Sequence, residues 1–283
     1  MNEYVDFDRA LCSVWRYPGG EVGVRAVGAA PRKLLARIHS SDELLALIHY
    51  LDAVQGQVEE LLIPYLPYAR QDRVAAPGDP LAIAVLARLL CSSGVRTFAS
   101  LDVHSPAAER AFSTVGASLR NLPATPWLQR FVEHCERSPD QELWFVAPDK
   151  GARTRTRALA EALSSAQRPI GLIHGEKVRD PHTGALAGFR IDPQESPPKL
   201  ERDALVVVVD DICDGGGTFL GLAAALRESY GEHELNLWTT HGIYSKGLDE
   251  LAAHYQRIGC TDSFRSGRSH ASLSVLALNL VSA

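Results

Sequence analysis

One segment constrains the fold of this chain more than any other: Val206-Val-Val-Val-Asp-Asp-Ile-Cys-Asp-Gly-Gly-Gly-Thr218. An apolar β-branched run reads as a buried strand, and here it ends in acids, passes through glycines and enters a helical pattern. Glycines let successive backbone N–H groups turn inward as a nest, and the helix that follows adds the positive end of its dipole. Thr218 supplies a hydroxyl, so a phosphate group can sit there. Asp210 and Asp211 are candidates to accept hydrogen bonds from ribose hydroxyls. A glycine-rich turn capped by two acids is the competing reading of the same letters.

The rest of the chain repeats the strand-then-helix rhythm, which predicts an α/β fold built on parallel sheets flanked by helices. Ser40 and Glu43 form a capping box ahead of a helix carrying Leu44, Leu47, Ile48 and Leu51 on one face. A strand is predicted over Glu59 to Tyr65. A helix follows, with Asp79 as N-cap and Pro80 at its first position, running to Leu90, and the next strand covers Thr97 to Val103. Beyond Pro126 come a helix from Trp127, a strand at Leu143 to Ala147, a helix over Arg153 to Leu163, and strands at Leu205 to Val209 and Leu235 to Thr240. The strand before His104 and the strand before His241 run into their histidines alike, which hints at an internal duplication. The Pro123 to Pro126 stretch is the natural boundary, giving domains 1–124 and 125–283.

Composition narrows the function. A chain of 283 residues, 46% hydrophobic, can bury two cores of ordinary size. Its net charge of -5 argues against a nucleic-acid partner, which requires a basic surface. The polar, acidic start from Met1 to Asp8 does not resemble a signal peptide, and no apolar run is long enough to span a bilayer. The five cysteines show no C-x-x-C pair, as expected of reduced thiols in a cytoplasmic protein.

Further motifs occur in order along the chain: Tyr17-Pro-Gly-Gly-Glu21, Ile63-Pro-Tyr-Leu-Pro-Tyr-Ala-Arg-Gln-Asp-Arg73, Leu101-Asp-Val-His104, Ala147-Pro-Asp-Lys-Gly-Ala152, Lys177-Val-Arg179 and Thr240-His-Gly242. Together with the glycine loop they resemble ribose-phosphate pyrophosphokinase, a family built from two type I phosphoribosyltransferase-like domains. The resemblance implies attack of the C1 hydroxyl of ribose 5-phosphate on the β-phosphorus of Mg-ATP, with AMP leaving, in an assembly of at least two subunits. It implies ATP contacts at Arg70, Gln71 and Arg73, with Tyr17 and Glu21 reaching the adenine held by a neighbouring subunit. It places magnesium and the ATP phosphates at His104 and Asp149, and the pyrophosphate at Asp149, Lys150, Gly151 and Ala152. Magnesium prefers carboxylate, phosphate and water, which favours Asp149 over His104 as a direct ligand.

By the same resemblance, Asp210, Asp211, Asp214, Gly215, Gly216, Gly217 and Thr218 hold the ribose phosphate, while Lys177, Arg179 and His104 serve catalysis. Phosphoryl-type transfer leaves a protein mainly positioning and charge neutralisation to perform, and cations at 177 and 179 suit that task. The stretch from Lys177 through Asp180, Pro181, His182, Thr183 and Gly184 is polar and turn-rich, as expected of a closing loop; a surface hairpin suits the same letters.

Three departures from the family pattern stand out. Gly19 occupies a position where an acid is usual, and the Tyr17 motif arrives early, as though part of the first domain were missing. Gly215 stands where a threonine is usual, which removes a hydroxyl and opens space beside the phosphate. An acceptor with a substituted 5′-phosphate, such as ADP-ribose, is then conceivable beside the ordinary one. A true phosphoribosyltransferase and a non-catalytic homologue that keeps only the fold are the other readings.

Overall fold

The computed structural model describes residues 4–7, 10–138, 140–180, 183 and 186–278. These divide into two compact units: one drawn from Met1–Pro123, Ser263–Arg265 and Ala277–Ala283, the other from Ala124–Asp262 and Ser266–Leu276.

In the first unit, β1 (Val5–Asp6), β4 (Lys33–Leu35), β5 (Glu60–Leu62), β6 (Thr97–Leu101) and β7 (Ser118–Leu122) form a five-stranded sheet in that order. Every neighbouring pair is parallel. A separate antiparallel hairpin pairs β2 (Cys12–Arg16) with β3 (Val22–Ala26). Helices α1 (Ser41–Ala53), α2 (Ala82–Ser92) and α3 (Ala107–Thr114) complete the unit. Its core includes Leu34, Leu47, Leu61, Ile83, Leu90, Phe98 and Phe112, all within 1% of full burial.

In the second unit, α4 (Thr125–Cys135), β8 (Leu143–Ala147), α5 (Arg153–Leu163), β9 (Ile170–Arg179), β10 (Leu186–Ile191), β11 (Leu205–Cys213), α6 (Gly217–Tyr230), β12 (Leu235–Gly242), α7 (Asp249–Ala252), β13 (Arg257–Thr261) and β14 (Leu273–Leu276) follow in sequence. The sheet order is β10-β9-β8-β11-β12-β13-β14, with β10 alone antiparallel to its neighbour. Leu205 to Val209 are at most 3% exposed, as a central strand covered on both faces demands. Each such side chain contributes on the order of 1.5–3 kcal/mol of burial.

Local chemistry explains where elements begin and end. Ser40 caps α1 by accepting from the Glu43 amide at 3.2 Å. The return bond of a capping box goes one residue further out, from the His39 amide to Glu43 Oε2 at 2.5 Å. Asp79 does not cap α2: its Oδ2 accepts from the Ala76 amide at 2.9 Å, closing a turn, and the helix begins at Ala82. Strand β5 stops before the predicted end because Pro64 brings no amide, although Ile63 still donates to the Ala99 carbonyl at 2.9 Å. Strand β6 ends at Leu101, before Asp102 with its positive φ of 44°. Strand β11 runs past the predicted end at Val209 through both acids to Cys213. The hint of internal duplication survives only as a shared βα rhythm, since the strand orders of the two sheets differ. All five cysteines are buried, each as a thiol outside any disulfide. Among the described residues, no helix is long and apolar enough to cross a membrane.

Candidate functional site

The strand order of the second unit reverses between β8 and β11. The chain leaves β8 on one side to build β9 and returns on the other side to build β11. Loops leaving such a pair of parallel strands diverge, and the crevice at their carboxyl ends is where open α/β sheets hold ligands. The segment Pro148 to Ala152 leaves β8 on one flank of this point, and Asp214 to Gly216 leaves β11 on the other. Among the described residues of the first unit, the strands follow one another across the sheet without such a reversal.

On the β8 side, neighbouring residues make two ion pairs of opposite sense with β9. Lys177 Nζ donates to Asp149 Oδ2 at 2.6 Å, and Lys150 Nζ lies 3.4 Å from Glu176 Oε1. Asp149 Oδ1 also accepts from the Gly151 and Ala152 amides at 2.9 and 3.2 Å, so the loop is wrapped round its own carboxylate. Burial pushes the Asp149 carboxyl up, but the Lys177 ammonium and those two amides outweigh it, holding the group below the usual carboxylate range. Gly175 makes this approach possible: a Cβ there would lie 2.8 Å from the Pro148 carbonyl oxygen and 3.0 Å from that of Ala147. Glu176, 12% exposed, also pairs with Arg190 of β10 and Arg153 of α5. Arg153 reaches Asp192 and Glu195 as well.

Lys177 and Arg179 are strand residues, paired with Phe189 and Leu186 across a hairpin. The polar stretch expected as a loop therefore begins in a strand, because β10 supplies a partner for its backbone as far as Arg179. The described part of the turn is local: Thr183 donates from both its amide and its hydroxyl to Asp180 Oδ1, at 2.7 and 3.0 Å. Pro181, His182 and Gly184 lie outside the described residues.

On the β11 side, Gly216 takes a left-handed conformation, φ 78°, and caps α6. Its amide bonds to the Cys213 sulfur, whereas among the described residues the amides of Gly215, Gly217 and Thr218 have no protein acceptor. Open donors at a helix N-terminus are suited to an anion. The loop is anchored from β12's side by the Ser245 amide, which donates to the Asp214 carbonyl at 3.1 Å. A Cβ on Gly215 would make ordinary contact with the Lys246 stem, nearest approach 3.5 Å, so that position has room for a side chain.

The two acids preceding the loop differ. Asp211 is 3% exposed, with Oδ1 3.2 Å from Arg155 Nη1. Asp210 is pushed well above the carboxylate range by burial and by the charge of Asp211 beside it. Asp210 Oδ1 accepts from the Asp211 amide at 2.9 Å, while the Asp211 carboxylate pairs with Arg155. Of the two acids expected to accept from ribose, Asp210 is half-buried and Asp211 is buried against Arg155.

In the first unit, Tyr17 and Glu21 close the β2–β3 hairpin, the Tyr17 amide donating to the Glu21 carbonyl at 2.9 Å, and both side chains are exposed. A Cβ at Gly19 would fall 2.6 Å from Glu21 Oε2, so an acid at 19 would crowd a second negative charge against Glu21. Arg70, Gln71 and Arg73 are exposed in the loop following β5, and His104 is half-buried in the loop following β6. The loops of Arg70 and His104 thus leave neighbouring parallel strands at one edge of the sheet.

For magnesium, Asp149 offers the hard anionic oxygen that the ion prefers, and its depressed pKa keeps it ionised at neutral pH. Among the described residues, no three His, Cys, Asp or Glu side chains cluster as a ready-made metal cage. That fits an ion bound through one or two protein oxygens, water and substrate phosphates.

Gly175, Glu176, Arg153, Arg155 and Lys246 were not singled out by the motifs. One signal was available: three arginines at 153, 155 and 157 open a helix, where the dipole disfavours cations, so they demand acidic partners or an anion. For Lys246 no local pattern exists, since its proximity to Gly215 comes from the β12 connection.

A family model described as the phosphoribosyl transferase domain matches residues 127–253. The ribose-phosphate pyrophosphokinase of Thermococcus kodakarensis is 30% identical over 251 residues, covering 84% of this chain and 82% of that protein. That of Granulibacter bethesdensis is 31% identical over 211 residues, covering 74% of this chain. The chain spans 62% of the length of this relative and 59% of one from Mycoplasmopsis pulmonis. Among solved structures, phosphoribosylpyrophosphate synthetase from Mycobacterium smegmatis matches with a TM-score of 0.75 over 95% of this chain and 86% of that one, at 22% identity, a likeness of fold.

Proposed function

We infer an activity from a membership that is itself plain: the chain belongs to the ribose-phosphate pyrophosphokinase family. The proposed reaction moves the β,γ-pyrophosphate of Mg-ATP to the anomeric C1 hydroxyl of ribose 5-phosphate, yielding phosphoribosyl pyrophosphate and AMP. The observation that carries it is the Asp149–Lys177 pair at 2.6 Å flanking a strand-order reversal whose other flank presents open glycine-loop amides. One flank suits a magnesium pyrophosphate group and the other a sugar phosphate.

In this reading residues 125–283 form the acceptor and catalytic domain, and residues 1–124 the ATP domain. The glycine-loop amides and Thr218 hold the 5′-phosphate, and Asp210 orients the ribose. Lys177 and Arg179 neutralise charge as the bond between the β-phosphorus and the bridging oxygen of AMP breaks and the C1 oxygen bonds in line. Arg70, Gln71 and Arg73 grip ATP, with Tyr17 and Glu21 contributing to adenine across a homo-oligomer. Asp149, with His104 near the phosphates, would hold magnesium, which when bound screens the phosphate oxygens against the incoming hydroxyl. The setting is the cytoplasm, with no nucleic-acid or membrane partner. The pathway context is nucleotide biosynthesis.

A second reading, ADP-ribose as acceptor, is favoured by one observation, the room at Gly215; it would move the enzyme into NAD metabolism. AMP release from Mg-ATP with ribose 5-phosphate or ADP-ribose, with products identified by mass, separates the two. Release with neither would leave a non-catalytic homologue.

A further inference from the structure

The Lys246 stem runs beside Gly215, where a built Cβ would meet its Cγ, Cδ and Cε at 3.8, 3.6 and 3.5 Å. Its ammonium is one C–N bond beyond Cε, hence no more than about 5 Å from that Cβ position. Among the described residues this ammonium makes no ion pair or hydrogen bond, although most cations of the second unit described above are paired with acids. The backbone that carries Lys246 is fixed to the loop it overlooks. The Ser245 amide donates to the Asp214 carbonyl at 3.1 Å, and Arg268 Nη2 donates to the Ser245 carbonyl at 3.3 Å.

The exposed Lys246 thus lies beside the glycine loop that leads into a 14-residue helix, a site whose open amides suit negative charge. Resting on the acceptor reading above, we propose that Lys246 is a specificity-determining residue which binds the acceptor's 5′-phosphoryl group from the side that Gly215 leaves open. A Cβ at 215 would lie at van der Waals distance from the Lys246 stem, so glycine at 215 leaves the flank beside the lysine open. The chemistry recognised is a phosphoryl group on the 5′ carbon, whether a terminal monoester or the first phosphate of a diphosphate ester. Free ribose lacks it.

The test uses the full chain with Mg-ATP and three acceptors, ribose, ribose 5-phosphate and ADP-ribose, read both as AMP release and as acceptor binding by calorimetry. Lys246→Met keeps the stem and removes the charge. It should raise KM and Kd for the phosphorylated acceptor about 10- to 100-fold, the loss of one charge-assisted contact. The constants for ribose and the KM for ATP should stay unchanged, with kcat within about threefold, and Lys246→Arg should restore most of the affinity. In a Gly215→Thr background the threonine fills the flank beside the stem, and adding Lys246→Met should then cost less than about threefold. Whichever phosphorylated acceptor shows the Lys246 dependence identifies the monoester or the diphosphate source.

Unchanged constants in Lys246→Met, or equal losses for ribose and its phosphate, overturn the proposal while leaving the transfer reaction standing. Lys246-dependent binding without AMP release from any acceptor upholds the proposal and overturns the transfer reaction. Failure of the parent chain to bind either phosphorylated acceptor overturns both.

Discussion

Asp149 and Lys177 should be energetically coupled before any substrate arrives. Their side chains are 28% and 30% exposed and meet at 2.6 Å, so the pair is only partly screened by solvent. Asp149→Asn is nearly isosteric, and Oδ1 can continue to accept from the Gly151 and Ala152 amides, so the variant removes the charge but spares the turn. Lys177→Met removes the ammonium and keeps most of the stem. A charge-assisted hydrogen bond of this exposure contributes about 1.5–3 kcal/mol, which for a unit of this size shifts the midpoint by roughly 3–12 °C. Thermal or urea unfolding of the parent, both singles and the double variant should give a coupling energy in that range. The Asp149 carboxyl lies below its ordinary range in the folded state, so its contribution is fully present above the unfolded value and is lost as pH falls through the folded one. The coupling should therefore persist at pH 5 and fade below about pH 4. Additivity of the two singles within about 0.5 kcal/mol at pH 7 would refute the reasoning. Lys177→Met should also reduce turnover by orders of magnitude. A purely catalytic lysine would leave stability untouched, and the pairing with Asp149 argues against that.

Three other perturbations test separate parts of the structure. Gly175→Ala drives a methyl group against the Pro148 and Ala147 carbonyls and should cost about 1–3 kcal/mol, measured by urea unfolding; an unchanged midpoint would mean the β8 loop is not held there. Asp210 is held above the usual carboxyl range, so as pH rises past about 4 the unfolded chain releases a proton that folded Asp210 keeps, and stability falls. Asp210→Asn should gain on the parent in melting temperature between pH 4 and 7, and a pH-independent difference would contradict the protonated state. Ser40→Ala removes the α1 cap and should cost about 1 kcal/mol, checked by the same melts.

Much of this architecture was legible because it is local. The limits of β8 and α5 follow from their apolar runs, and the glycine loop, with the helix following it, from its own letters. The failures are where tertiary partners overrule local pattern. Asp79 has the form of a helix cap but is drawn into a turn with Ala76. Lys177 and Arg179 have loop-like neighbours, yet β10 pairs with their backbone and makes them strand. Asp210 and Asp211 are adjacent acids with the same intrinsic chemistry, and the position of Arg155, far away in sequence, decides which of them is held in an ion pair. Strand order is not written in any single segment, so the crevice between β8 and β11 could not be read before the sheet was assembled.

The two ion pairs between the β8 loop and β9 are antisymmetric: acid then base on one segment face acid then base in reverse order on the other. A slip of β9 by one residue would exchange its faces; in one direction it would set Asp149 against Glu176, and in the other Lys150 against Lys177. Like charges would then meet at one rung and the other would lose its partner, besides the loss of the apolar alternation. The arrangement works as an error check on assembly, favouring one alignment of β9 beside β8 and opposing the nearest wrong ones. It also links positions 149 and 177 in any future sequence change, because reversing one of those charges is opposed unless the other reverses as well.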